Sequence, residues 1–192
     1  MGEEGEAYRR LLEEHARLRA RTALLQRVLH LYGAPDDFDA AFDGLLDAAL
    51  DHWGAAAGAL YMLDAHRDEL YFAAARGPRA AEVLRLDATV KPGEGLSGAC
   101  FQASEVLAVS DVRQDQRFAR EVSGAVHYEV RSALTLPIVC DGAPLGVIQV
   151  LNARRDAFDA EDLETARQLG RQAGELLGLG LRIHELVTGG AA

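Results

Sequence analysis

Turn-forming residues and short apolar runs follow one another most tightly between Lys91 and Asn152. The stretch opens Lys91-Pro92-Gly93-Glu94-Gly95-Leu96-Ser97-Gly98 and passes through Ser110-Asp111-Val112, with Asp115, Arg117 and Phe118. It then reads Arg131-Ser132-Ala133-Leu134 before Pro137-Ile138, and closes on Gly146-Val147-Ile148-Gln149-Val150-Leu151-Asn152. Glycines at such spacing serve tight turns that need positive φ or a close backbone approach. Their spacing also matches a dinucleotide-binding fingerprint, but that motif must join a strand to a full helix inside a βαβ unit, and these glycines do not. The two apolar runs after Arg131 flank Asp141-Gly142 and read as a hairpin, Arg131 to Cys140 and Pro144 to Asn152.

The flanking sequence supplies helices and a second hairpin. Residues 6–32 hold no proline or glycine and carry a heptad pattern, with Tyr8, His15, Thr22 and Leu29 in one column and Leu11, Leu18, Leu25 and Tyr32 in the other. Such a seam makes a self-associating helix, the alternative being a helix packed on its own domain. Gly33, Pro35 and Asp36 break it, and Asp36 or Asp37 caps a helix whose apolar face is Phe38, Phe42, Leu45, Leu46, Ala49 and Leu50. Ala57 to Asp64 and Glu69 to Arg76 form a hairpin about Ala65-His66-Arg67-Asp68. A helical turn at Ala80 to Leu86, an extended piece at Ala88 to Val90 and a strand at Val106 to Val109 follow. Asp159 caps a long helix running to about Val187. Ala166, Gly170, Gly174 and Gly178 make a stripe on it that fits either a helix of a partner copy or the sheet or first helix of the same chain.

These elements describe an α+β domain with an antiparallel sheet. The expected organisation is a dimerisation helix over residues 1–34, a domain over 35–188 that includes the last helix, and a disordered tail over 189–192. A net charge of −10 and a pI near 5.0 argue against a nucleic-acid partner, which needs clustered Lys and Arg. The acidic N-terminus is unlike a secretory signal, and the longest apolar run, Gly54 to Leu63, is too short to span a bilayer, so a cytoplasmic protein without membrane partners is expected. Cys100 and Cys140 have no metal or redox spacing and read as buried thiols.

The order of motifs from Lys91 to Asn152 resembles the GAF domain family, and the resemblance covers residues 38 to 180. It implies a GAF-like (profilin-like) antiparallel sheet flanked by helices, serving as a non-catalytic sensor in signal transduction. Departures from the family's patterns narrow the expectation. Ser104 and Val106 replace a Gly and a Pro that many members carry before the fourth strand, so that turn is expected to be built differently. Asn152, Phe158 and Asp162 fit the pattern of the cyclic-nucleotide-binding members, but Ala153 and Leu163 replace its Lys and Glu. Neither cysteine precedes a histidine, as bilin attachment requires. The free methionine-sulfoxide reductases of this fold need several cysteines, yet Ser97 occupies one of those places and no cysteine lies between Val126 and Val130.

In the family the pocket lies between the sheet and the segment that here runs from Asp111 to Arg131. The candidate ligand contacts are Arg113 and Arg131 for an anionic group, Phe118 and Tyr128 for a planar face, with His127 and Ser132 beside them. His127 also stands about where some redox-sensing members place a haem-ligating histidine, and a neutral imidazole binds iron. No catalytic or metal-binding residue is expected, and the sequence names no cofactor. The leading expectation is a homodimer, joined through both terminal helices, that binds a small molecule. The alternative is a ligand-free dimerisation or docking module for another signalling protein, since no kinase, cyclase or DNA-binding segment follows on this chain.

Overall fold

A computed structural model describes residues 3–33, 37–117, 127–155 and 157–189. Helix α1 spans Glu3–Leu31 and α2 spans Phe38–Trp53. The Asp37 carboxylate caps α2 by accepting the Ala40 N–H at 3.0 Å; Asp36, the other candidate cap, lies outside the described residues. Strands β1 (Ala57–Asp64) and β2 (Glu69–Arg76) form the first hairpin. Helix α3 (Ala80–Arg85), the short β3 (Thr89–Val90), α4 (Gly95–Ala103) and β4 (Leu107–Val109) follow. The second hairpin is β5 (Ala133–Cys140) and β6 (Ala143–Leu151), and α5 (Ala160–Gly189) closes the fold. Asp141 and Gly142 turn that hairpin at φ 50° and 82°, the positive values a tight two-residue turn requires. Residues 190–192 of the expected tail lie outside the described residues.

The six strands lie in the order β3-β2-β1-β6-β5-β4, each antiparallel to its neighbours. Both faces of the central strands are covered, which is why they read as continuous apolar runs. Leu60, Met62, Leu134, Leu136, Ile138, Ile148 and Val150 pack among α1, α2 and α5. On the opposite face Ala59, Tyr61, Leu70 and Val147 meet Cys100 and Phe101 of α4. Strict alternation would put Leu70, Phe72 and Ala74 on one face. A bulge intervenes: Tyr61 pairs with Phe72 but Leu60 pairs with Ala74, leaving Ala73 as the extra residue. Phe72 therefore stays beside Tyr61, ring centroids 4.5 Å apart, while Ala74 joins the helix-side core.

The glycine stripe on α5 belongs to the chain's own sheet. A Cβ on Gly170 would lie 2.1 Å from the Pro137 carbonyl oxygen, one on Gly174 1.9 Å from that of Val139, and one on Gly178 2.3 Å from Cys140 Sγ. The stripe lets α5 settle onto β5 and leaves no room there for a partner's helix. Helix α1 uses Leu24 and Val28 to reach the core. Tyr8, Leu11, Leu18 and Leu29 of its heptad columns stay exposed.

Two turns show why their residues are there. Gly98 packs so closely that a Cβ would lie 2.2 Å from the Lys91 carbonyl oxygen, while Gly93 and Gly95 hold φ 86° and 62°. Ser104 ends α4 at φ 54°, so the turn that lacks the family's glycine keeps a left-handed backbone on a serine.

Candidate functional site

Between the sheet, with β3 at its edge, and the layer made by α3 and α4 lies a cavity of about 140 Å³, whose lining includes Tyr61, Phe72, Leu96, Ser97, Tyr128 and Gln149. Apolar cavities of this order accept a single small ring. The bulge in β2 sets the Phe72 ring against Tyr61 to make one wall, and the glycine turn starts α4 so that Leu96 and Ser97 face the sheet.

A chain of polar groups crosses the floor. Tyr61 Oη donates to Gln149 Oε1 at 3.4 Å, and Gln149 Nε2 donates to Thr135 Oγ1 at 3.4 Å. Burial pushes the Tyr61 phenol up to about 12, with a hydrogen bond to Ser97 opposing the shift, so the hydroxyl is neutral at physiological pH. Two guanidinium groups also line the cavity, but both are neutralised. Arg76 pairs with Asp43 at 2.9 Å and Asp47 at 2.7 Å, and Arg79 pairs with Glu82 at 2.7 Å.

The wall beside Tyr128 is fastened by Asn152. Its Nδ2 donates to Tyr128 Oη at 3.2 Å and to the Glu129 carbonyl at 2.9 Å, while its Oδ1 accepts the Arg131 N–H at 2.7 Å. Asn152 holds φ 54°, a conformation asparagine tolerates better than most residues.

The expected site residues are distributed unevenly around this cavity. Tyr128 lines it. Arg113 is turned to Asp111, donating to both carboxylate oxygens at 2.8 and 2.9 Å, and that pairing holds the Asp111 carboxyl well below the usual carboxylate range. Arg131 is exposed and engaged through its backbone; His127 is exposed at φ 50°. Neither lines the cavity. Ser132 is fully buried, its Oγ without a hydrogen-bond partner, and also stands outside the lining. Phe118 lies outside the described residues. Among the described residues the cavity is thus walled more by α3 and α4 than by the Asp111 to Arg131 segment. Phe72, Ser97 and Gln149 went unnamed in the sequence as ligand contacts; Gln149, a polar residue within an apolar strand, was the signal available there.

Cys100 is buried, and burial pushes its thiol up, the reverse of an activated nucleophile. Among the described residues no group of three or more His, Cys, Asp or Glu is placed to hold a metal, and no helix is long and apolar enough to cross a membrane.

A six-stranded antiparallel sheet with long helices on one face and a small capped cavity on the other is an α+β scaffold of the sensory-module type. The profile of the GAF domain matches residues 35–177, well over half the sequence, and the chain belongs to that family, generally a sensory or regulatory module in signalling proteins. It is similar to the GAF domain of a phosphoenolpyruvate-protein phosphotransferase from Coxiella burnetii, with a TM-score of 0.71 and 17% identity over 90% of this chain and 98% of that one. It is also similar in fold to the free methionine-R-sulfoxide reductase from Neisseria meningitidis solved with its substrate, with a TM-score of 0.65 and 17% identity over 85% and 93% of the two chains. A probable 3′,5′-cyclic phosphodiesterase, pde-5, from Caenorhabditis elegans is 28% identical over 69 residues, which is 36% of this chain and only 10% of that relative's length.

Proposed function

We propose that this GAF domain is a non-catalytic sensor whose cavity binds a small, neutral, planar molecule, and that it reports occupancy through α1 in a homodimer. The cavity carries the reading: it offers aromatic walls, one polar edge at Tyr61, Ser97 and Gln149, and guanidinium groups already neutralised by their own carboxylates. An anionic ligand would have to displace the Arg76 or Arg79 pairing. A flat, uncharged ring with an amide or ring nitrogen needs only the floor of the cavity. The raised Cys100 thiol supports a regulatory over a catalytic role.

The route outward starts at Tyr128. Its hydroxyl is held by Asn152, whose carbonyl accepts the Ala56 N–H at 3.3 Å, and two residues on Arg154 N–H donates to the Trp53 carbonyl at 3.1 Å at the end of α2. A ligand that binds better when Tyr128 is seated would favour the arrangement of α2 and α1 that goes with it.

A thermal-shift screen of neutral heteroaromatic amides and free nucleobases, with nucleotides, oxo acids and haem as contrasts, tests this. A neutral planar compound should raise Tm in the wild type and lose the effect in Gln149→Leu and Tyr128→Ala. If no compound shifts Tm, or if both variants respond like the wild type, the sensor reading fails in favour of a ligand-free docking module.

A further inference from the structure

We infer that a second cleft, on the helix side of the sheet at the root of α1, binds a small oxyanion and thereby fastens α1 to the body of the domain. The cleft measures about 240 Å³ and draws on four segments: Arg17 and Arg21 of α1, His52 and Trp53 at the end of α2, Arg154 and Arg155 just after β6, and the first turns of α5. In a chain of net charge −10, these four guanidinium groups face two lining carboxylates, Glu161 and Asp162.

The pairings show which cations remain available. Arg17 reaches Asp159 at 2.8 Å and Glu161 at 3.2 Å. Arg155 reaches Asp162 at 2.9 Å. Asp162 is buried and also accepts the Trp53 Nε1–H at 3.1 Å, so it is fully occupied. Among the described residues Arg21 donates only to the neutral Gln168 Oε1, at 3.0 Å, and Arg154 has no carboxylate partner. The Arg154 guanidinium lies over Gly54, where a Cβ would come within 3.0 Å of its Nε; the glycine leaves it room to lie flat.

His52 adds a third element, since its Nδ1 is buried without a hydrogen-bond partner. An oxyanion suits this set: two forked guanidinium groups receive its oxygens, and the ligand's own hydroxyl, or the proton of monobasic phosphate, meets His52 Nδ1. Arg21 belongs to α1 and Arg154 to the body. One anion held by both therefore ties the helix down, and its departure leaves α1 attached by Leu24, Val28 and the existing ion pairs. This site is separate from the aromatic cavity and does not depend on what fills it.

Trp53 is the only tryptophan in the sequence and lines the cleft, so its fluorescence reports occupancy. The full chain is titrated with phosphate, with acetate and with chloride at constant ionic strength and pH. Saturation of the Trp53 signal by phosphate is expected, with acetate, which has no proton to give His52 Nδ1, binding more weakly. Affinity should fall about tenfold or more in Arg154→Gln and in Arg21→Gln, with unchanged circular dichroism. Failure of both oxyanions to saturate the wild-type signal overturns the proposal, as does equal binding by the wild type and both variants.

Discussion

Asn152 does more at the residue scale than its place in a motif indicates. Its amide joins the end of β6 to Tyr128, Glu129 and Arg131, and its backbone already sits in a left-handed conformation that alanine dislikes. Asn152→Ala should cost about 3 kcal/mol, the sum of roughly 1 kcal/mol for each of three net hydrogen bonds, and urea unfolding would read it. Asn152→Asp keeps the acceptor for the Arg131 N–H and loses both donors, so it should fall between. A loss below ~0.5 kcal/mol in the alanine variant would mean that the loop is held by other contacts. Tyr128 is the named ligand candidate that lines the cavity because it is anchored by this side chain. Arg113 is spent on Asp111, a pairing two residues apart that loop sequence alone does not reveal.

The two hairpins were legible at the scale of elements: β1 and β2 run over the residues expected of them, since an apolar run, a polar turn and a second run leave little choice of register. The glycine stripe on α5 was not legible, because a face of small residues fits a helix or a sheet equally well. The packing decides for the sheet. Gly174→Ala should therefore destabilise the monomer by about 2–3 kcal/mol through overpacking against the Val139 carbonyl, read by denaturant midpoint, and should leave any self-association constant of the folded protein unchanged. The start of α5 carries its own pH dependence. Asp159 accepts the backbone N–H groups of Glu161 and Asp162, each at 3.0 Å, and the Asp162 bond is the chief reason its carboxyl is held below the usual range, with Arg17 and Arg155 adding to it. A carboxyl depressed in the folded state stabilises fully above its unfolded value near 4 and loses that contribution as pH falls through the folded value. Asp159→Asn retains a cap but not the charge, so its stability should lie below that of the wild type at neutral pH and converge with it as pH falls through the folded value, which lies below the ordinary carboxylate range. A gap of constant size down to pH 2 would contradict this.

What the whole molecule offers other molecules differs between its two sides. Tyr8, Leu11 and Leu18 are 63%, 61% and 50% exposed, a row of apolar side chains that the domain itself does not cover. In the proposed homodimer they form the seam. Leu11→Glu with Leu18→Glu should convert a dimer into a monomer in sedimentation while leaving the domain's thermal unfolding within a few degrees; a wild type that sediments as a monomer would remove the seam. The walls of the aromatic cavity were not legible in the sequence, because they come from strand residues, Tyr61, Phe72 and Gln149, that are distant along the chain and resemble core. The sheet, meanwhile, ends in β3 and β4, strands of two and three residues. Stubs so short give a neighbouring polypeptide few backbone groups of their own to pair with, which blunts strand-by-strand growth of fibrils from β3 and β4.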